Sequence, residues 1–144
     1  IVEILSVLRD VPYPHLAMVN ACQPFLTVET IRHFVAQAAT GGHQPAFAVI
    51  RRNTHFVSID GRPLNFPGSL KTINTKTVEP VLEFAHALYF FERDYLFRHG
   101  RYWDWQDVQL LEIPDRYEAI DIDTEEDFAL ADALWRSGHR PSSP

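Results

Sequence analysis

The chain's clearest chemical signal is the run Asp121-Ile122-Asp123. In an extended strand, alternate side chains share a face. A strand over Ala119–Asp123 would turn Ile120 and Ile122 inward and set both aspartates on the opposite face. At roughly 3.3 Å of rise per residue, the two carboxylates would be rooted on the order of 6–7 Å apart. That is close enough to serve one hard cation, either directly or through water. A ligand set made only of oxygen favours Mg²⁺ over zinc. The same residues have a plainer reading, in which Asp123 helps to cap the next helix and Asp121 lies on a solvated face.

Three weaker groupings accompany it. Asn20 and Gln23 follow a short apolar run and stand where amide side chains can bind a base, a ribose or a sugar; the alternative is an ordinary polar turn. Arg51, Arg52, Lys71 and Lys76 bracket a central excursion and could hold a carboxylate or phosphate, or be solvated charge. Tyr102-Trp103-Asp104-Trp105 offers either a stacking platform or the cover of an edge or interface. His86 lies in an apolar run and reads as a core histidine with one hydrogen bond. No histidine or cysteine spacing suits a metal, and neither a nucleophile elbow nor a Gly-rich phosphate loop is present.

The elements that must position these residues follow from periodicity. Ile1, Ile4, Leu5 and Leu8 have helical spacing, ended by Pro12 and Pro14. Leu16–Ala21 reads as a buried strand. Thr27 caps a helix over about 28–39, with Val28, Ile31, Phe34, Val35 and Ala38 as its apolar stripe. Ala46–Ile50 is a second buried strand. Asp60-Gly61 predicts a hairpin between 55–59 and 62–66, and 67–80 a long loop. Val81–Phe91 is dense in apolar and aromatic residues, and its expected form is a helical turn or loop leading into a strand at about 87–91. A short helix at 92–99 and a strand at 108–113 follow. Thr124 with Asp127 is a capping-box pattern for a helix over about 125–136. Alternating strands and helices predict a single α/β domain over 1–136 with a mainly parallel sheet, a projecting hairpin insert at about 51–80, and a disordered tail at 137–144.

Bulk properties narrow the function classes. The 144 residues suit one domain. A net charge of −6 argues against a nucleic-acid binder. No apolar run reaches the roughly 20 residues a bilayer demands, so no membrane partner is expected. One cysteine, Cys22, excludes an internal disulfide and suits a reducing cytoplasm. The chain opens on Ile1-Val2-Glu3, without Met and within an apolar periodic segment, which reads as a fragment or a processed chain.

Residues 118–134, from Glu118-Ala119-Ile120-Asp121-Ile122-Asp123-Thr124 to Ala133-Leu134, resemble the C-terminal signature of the acylneuraminate cytidylyltransferases, the CMP-sialic acid synthetase family. Asn20-Ala21-Cys22-Gln23-Pro24-Phe25-Leu26 resembles the family's strand-end segment. Asn74-Thr75-Lys76-Thr77 resembles its basic loop, and Ala87-Leu88-Tyr89 the strand after that loop. The resemblance implies a Rossmann-like three-layer nucleotide-diphospho-sugar transferase fold, seen here in part. It implies transfer of CMP from CTP to a nonulosonic sugar acid, with release of pyrophosphate. Asp121 and Asp123 would be the catalytic Mg²⁺ ligands, and Asn20, Gln23, Asn74, Lys76 and Tyr89 the substrate contacts of a homodimer. Two departures stand out. The family's Gly-rich loop for the CTP phosphates has no counterpart here, which admits a domain that binds or dimerises without catalysis. Gln23 and Leu26 replace Ser and Arg types, which leaves open another sugar acid as acceptor.

Overall fold

A computed structural model describes residue 3, residues 5–42 and residues 44–139. Its regular elements are β1 (His15–Val19), α1 (Val28–Thr40), β2 (Ala46–Arg52), β3 (Val81–Glu92), α2 (Arg93–His99), β4 (Gln109–Glu112) and α3 (Glu125–Arg136), with 3-10 turns at Ser6–Asp10, Thr75–Thr77 and Arg116–Ala119. The fold is mixed α/β, with one open four-stranded sheet in the order β1-β3-β2-β4.

β3 pairs antiparallel with both β1 and β2, while β2 and β4 are parallel. The mainly parallel pairing expected from strand–helix alternation is therefore corrected to two antiparallel pairs and one parallel pair among the described residues. The cause is the link between β2 and β3. It contains no crossover helix, so the chain turns back and β3 enters reversed. β1, β2 and β4 still share one direction: the connection through α1 brings the chain back in the same sense, and the reversal into β3 is undone on the way to β4.

α1 forms because Thr27 caps it and an apolar face recurs every four residues. The Thr27 hydroxyl accepts the Thr30 N–H at 3.1 Å. Thr30, Phe34 and Ala38 are buried, whereas Val28, expected on the stripe, is exposed. The helix lies against Ala46, Ala48, Ala85 and Ala87, whose small side chains let it approach closely, with Ile50, Leu88, Phe90 and Ile113 filling the rest of the core. On the opposite face, Phe47 is ringed edge-on by Phe84, Tyr89, Tyr102 and Trp103 at centroid distances of 5.3–6.1 Å. An irregular aromatic segment thus covers part of that face.

Several expectations need correction. Residues 81–92 form one strand, because β2 pairs with residues 81–84 and β1 and β2 with its second half, the chain arching between them at 85–87. β1 is a partly exposed edge strand, paired on one side only, rather than a buried one. The N-terminal helical spacing yields a 3-10 turn at Ser6–Asp10, and Ile1 and Ile4 lie outside the described residues. Asp60-Gly61 does turn the chain, with Gly61 at φ +82 and Leu64 N–H donating to Phe56 O at 2.9 Å. Regular strands do not extend from it; one bridge joins Val57 to Pro63, and a proline has no N–H with which to continue a ladder. Instead Asn65, buried, accepts the Phe56 N–H and donates to the carbonyls of Thr54 and Glu79, tying the excursion to the start of β3. Of the expected disordered tail, His139 packs its ring on Tyr117 at 4.1 Å, and residues 140–144 lie outside the described residues.

Candidate functional site

The 119–123 strand does not form, and the backbone explains why. Arg116–Ala119 is a 3-10 turn whose N-cap, Asp115, accepts the Tyr117 N–H at 2.9 Å. Ile120 N–H returns to Tyr117 O, Ile122 N–H reaches Cys22 O at 3.1 Å, and the N–H groups of Asp123 and Thr124 both go to Asp127 Oδ2. With the N–H groups of Ile120, Ile122, Asp123 and Thr124 committed to a turn, a loop and a cap, this stretch cannot build a ladder. The two aspartates consequently occupy different surroundings: Asp121 is half-buried and Asp123 exposed.

What holds the stretch in place is Glu118. Its side chain is fully buried and accepts from Thr27 N–H at 2.9 Å, Thr27 Oγ1 at 3.1 Å and Thr30 Oγ1 at 2.8 Å. The carboxylate thereby satisfies the open N–H end of α1, where negative charge is favoured. It also clamps the turn before Asp121 to the element that follows Gln23. Nothing in the sequence pattern marked Glu118, because its partners lie 88 and 91 residues away.

The contact between Ile122 and Cys22 draws Asp121 to the segment after β1. There the Asn20 side chain accepts Cys22 N–H at 3.2 Å, and Asn20 N–H donates to Ala87 O at 2.9 Å. Gln23 is 5% exposed, yet neither its amide oxygen nor its nitrogen has a partner. Asp121 Oδ1 is likewise buried and without a partner. Unpaired buried polar atoms are costly, and each of these side chains is suited to a ligand, an ion or water. The Asp121 carboxylate also bears on Tyr89. Burial raises the Tyr89 phenol above its ordinary pKa, and the nearby Tyr102 and Asp121 raise it further. Burial likewise raises Tyr102.

Beside Tyr89 opens a pocket of about 160 Å³, lined by Phe47, Phe84, His86, Tyr102, Trp103 and Trp105 as well as Tyr89. The Tyr102–Trp105 segment therefore shapes a cavity, with Trp103 and Trp105 edge-on at 4.9 Å. His86 is not the core residue expected: it is exposed, and its Nδ1 lies 3.0 Å from the Tyr89 hydroxyl.

A backbone hydrogen bond from Ile122 to Cys22 thus joins the stretch that bears Asp121 to the Asn20–Gln23 segment, and Asp121 lies near enough to Tyr89 to raise its pKa. The structure does not draw the basic loop into this group by any side-chain bond of Lys76. Asn74 and Lys76 are exposed on the Thr75–Thr77 turn, where Asn74 Oδ1 accepts Lys76 N–H at 3.0 Å. Arg51 and Arg52 are engaged by Glu112 and Glu83. Among the described residues, no three His, Cys, Asp or Glu side chains gather as a metal cage, and no helix is long and apolar enough to cross a membrane. No protein-family model matches the chain, and no curated protein matches its sequence.

Proposed function

We propose that this chain is the C-terminal portion of an acylneuraminate-type cytidylyltransferase, a Rossmann-like nucleotide-diphospho-sugar transferase that moves CMP from CTP to a nonulosonic sugar acid and releases pyrophosphate. The observation that carries the reading is Asp121 Oδ1, buried and unpaired on a stretch that a backbone hydrogen bond ties to the Asn20–Gln23 segment. It is supported by the common direction of β1, β2 and β4, with the Asn20–Gln23 segment at the carboxyl end of β1, where open α/β sheets bind ligands.

The residues present fit Mg²⁺. The ion characteristically takes one or two carboxylates and fills its remaining positions with water and substrate phosphate oxygens, so a cage of three protein ligands is not required. Asp121 and Asp123 would hold it, and when bound it would offset the negative charge that gathers on phosphate as pyrophosphate departs. The chain's other groups bind and orient. Gln23 presents a buried amide with a donor and an acceptor still unused. Tyr89, whose pKa is raised, keeps its phenolic proton at neutral pH; with that proton directed to His86 Nδ1, its oxygen remains a hydrogen-bond acceptor. The aromatic rings beside it exclude water from one side of the site.

A second reading rests on the absence of a Gly-rich phosphate loop from these residues: a domain that binds a sugar acid or nucleotide without transferring it. Labelled CTP with N-acetylneuraminic acid as acceptor separates the two. Mg²⁺-dependent CMP transfer that falls by about 100-fold or more in D121A supports the transferase. Undiminished transfer in D121A contradicts it. Acceptor binding with no transfer favours the second reading.

A further inference from the structure

His86 has φ 53, the one non-glycine residue in the left-handed region among the described residues. It sits where β3 leaves its ladder. Phe47 pairs with Tyr89 and Val49 with Phe84, so Ala48 alone stands opposite Ala85, His86, Ala87 and Leu88. A backbone arch of this kind is normally served by glycine, which adopts positive φ without penalty. A histidine there is strained, and because its side chain is exposed, packing does little to offset the strain. What the strained backbone does achieve is placement. The imidazole reaches the wall of the aromatic pocket, with Nδ1 at 3.0 Å from the Tyr89 hydroxyl. When the Tyr89 hydroxyl donates to Nδ1, the ring hydrogen resides on Nε2, which makes no hydrogen bond among the described residues and remains a donor.

We propose that His86 is a specificity-determining ligand contact: its Nε2–H donates to an oxygen of a sugar acid whose ring lies against Tyr102, Trp103 and Trp105. The choice of a sugar acid rests on the cytidylyltransferase reading. The placement of His86 rests on the arch and the pocket. Aromatic faces suit the C–H face of a sugar ring, and a donor whose position the backbone fixes selects among the oxygens around that ring.

The test is an NMR titration of the full chain with N-acetylneuraminic acid, following the indole N–H signals of Trp103 and Trp105, with thermal melts alongside. In the wild-type protein both signals should shift and saturate. H86G should bind about tenfold or more weakly while melting no lower than wild type, since glycine relieves the strain. H86N, which tolerates the left-handed region and retains an N–H donor, should recover part of the affinity. Wild-type affinity in H86G, or a melting point well below wild type, would overturn the role and leave the sugar-acid reading standing. Wild-type indole signals that do not respond to the sugar acid would overturn both.

Discussion

Glu118 shows how one side chain can govern a site it does not enter. A fully buried carboxylate is tolerable only when hydrogen-bonded, and here a helix N-terminus and two threonines serve it. Glu118→Leu should cost about 2–3 kcal/mol, as the Thr27 and Thr30 donors lose a buried acceptor; urea unfolding reads this as a lowered midpoint at unchanged slope. A midpoint unchanged from wild type would show that the clamp contributes nothing. Legibility at this scale was uneven. Asp121, Asn20 and Gln23 could be singled out from residue type and order, and a backbone hydrogen bond joins the segments that carry them. Glu118 and His86 could not, because the significance of one lies in partners about 90 positions away and that of the other in a backbone angle.

At the scale of elements, caps and periodicity were the reliable signals. α1 and α3 begin where Thr27 and Thr124 predicted, and α3 carries the full reciprocal box: Thr124 Oγ1 accepts Asp127 N–H at 3.2 Å while Asp127 Oδ2 accepts Thr124 N–H at 2.9 Å. The Thr124 hydroxyl, then the backbone N–H groups of Thr124 and Asp123, hold the Asp127 carboxyl below its ordinary range. A depressed carboxylate pKa stabilises the fold at pH above the unfolded value, and that contribution disappears as pH falls through the folded value. Amide exchange in the first turn of α3 should therefore accelerate as pH drops below about 4, after correction for intrinsic rates. In Asp127→Asn this acid-dependent loss should be absent; a variant that retained it would place the sensitivity elsewhere. The misreadings share a different cause. Ile and Asp alternate over 120–123 with a strand's period, but strands need partners, and these N–H groups are spent on a turn, Cys22 and Asp127. Conversely, 81–86 carries no clear period and is a strand because β2 lies beside it.

For the molecule as a whole, β3 is the keystone. It is the sole strand opposed in direction to the others, it touches both β1 and β2, and it separates the α1-facing core from the aromatic face. Phe91, 1% exposed, lies tilted against Tyr102 at 5.1 Å. Phe91→Ala should destabilise by about 3–5 kcal/mol through lost burial and a cavity. It should also broaden the Trp103 and Trp105 indole signals as the aromatic segment loosens. A cost under about 1 kcal/mol would mean that this face is not packed as described. The α/β class was readable from the alternation of elements, whereas strand direction was not: it depends on a link at 53–80 without an α-helix, whose return path the buried side chain of Asn65 ties down.

The account turns on Asp121 as the anchor of a divalent cation, and Mn²⁺ in place of Mg²⁺ tests this without requiring catalysis. In ¹⁵N-labelled protein, substoichiometric Mn²⁺ should broaden the amide signals of Asp121, Ile122 and Asp123, together with those of Cys22 and Gln23, which Ile122 N–H holds nearby. Excess Mg²⁺ should restore them, and Asp121→Asn should abolish the effect while leaving the α1 signals in place. Broadening that is centred elsewhere, or that persists in Asp121→Asn, would contradict the central claim.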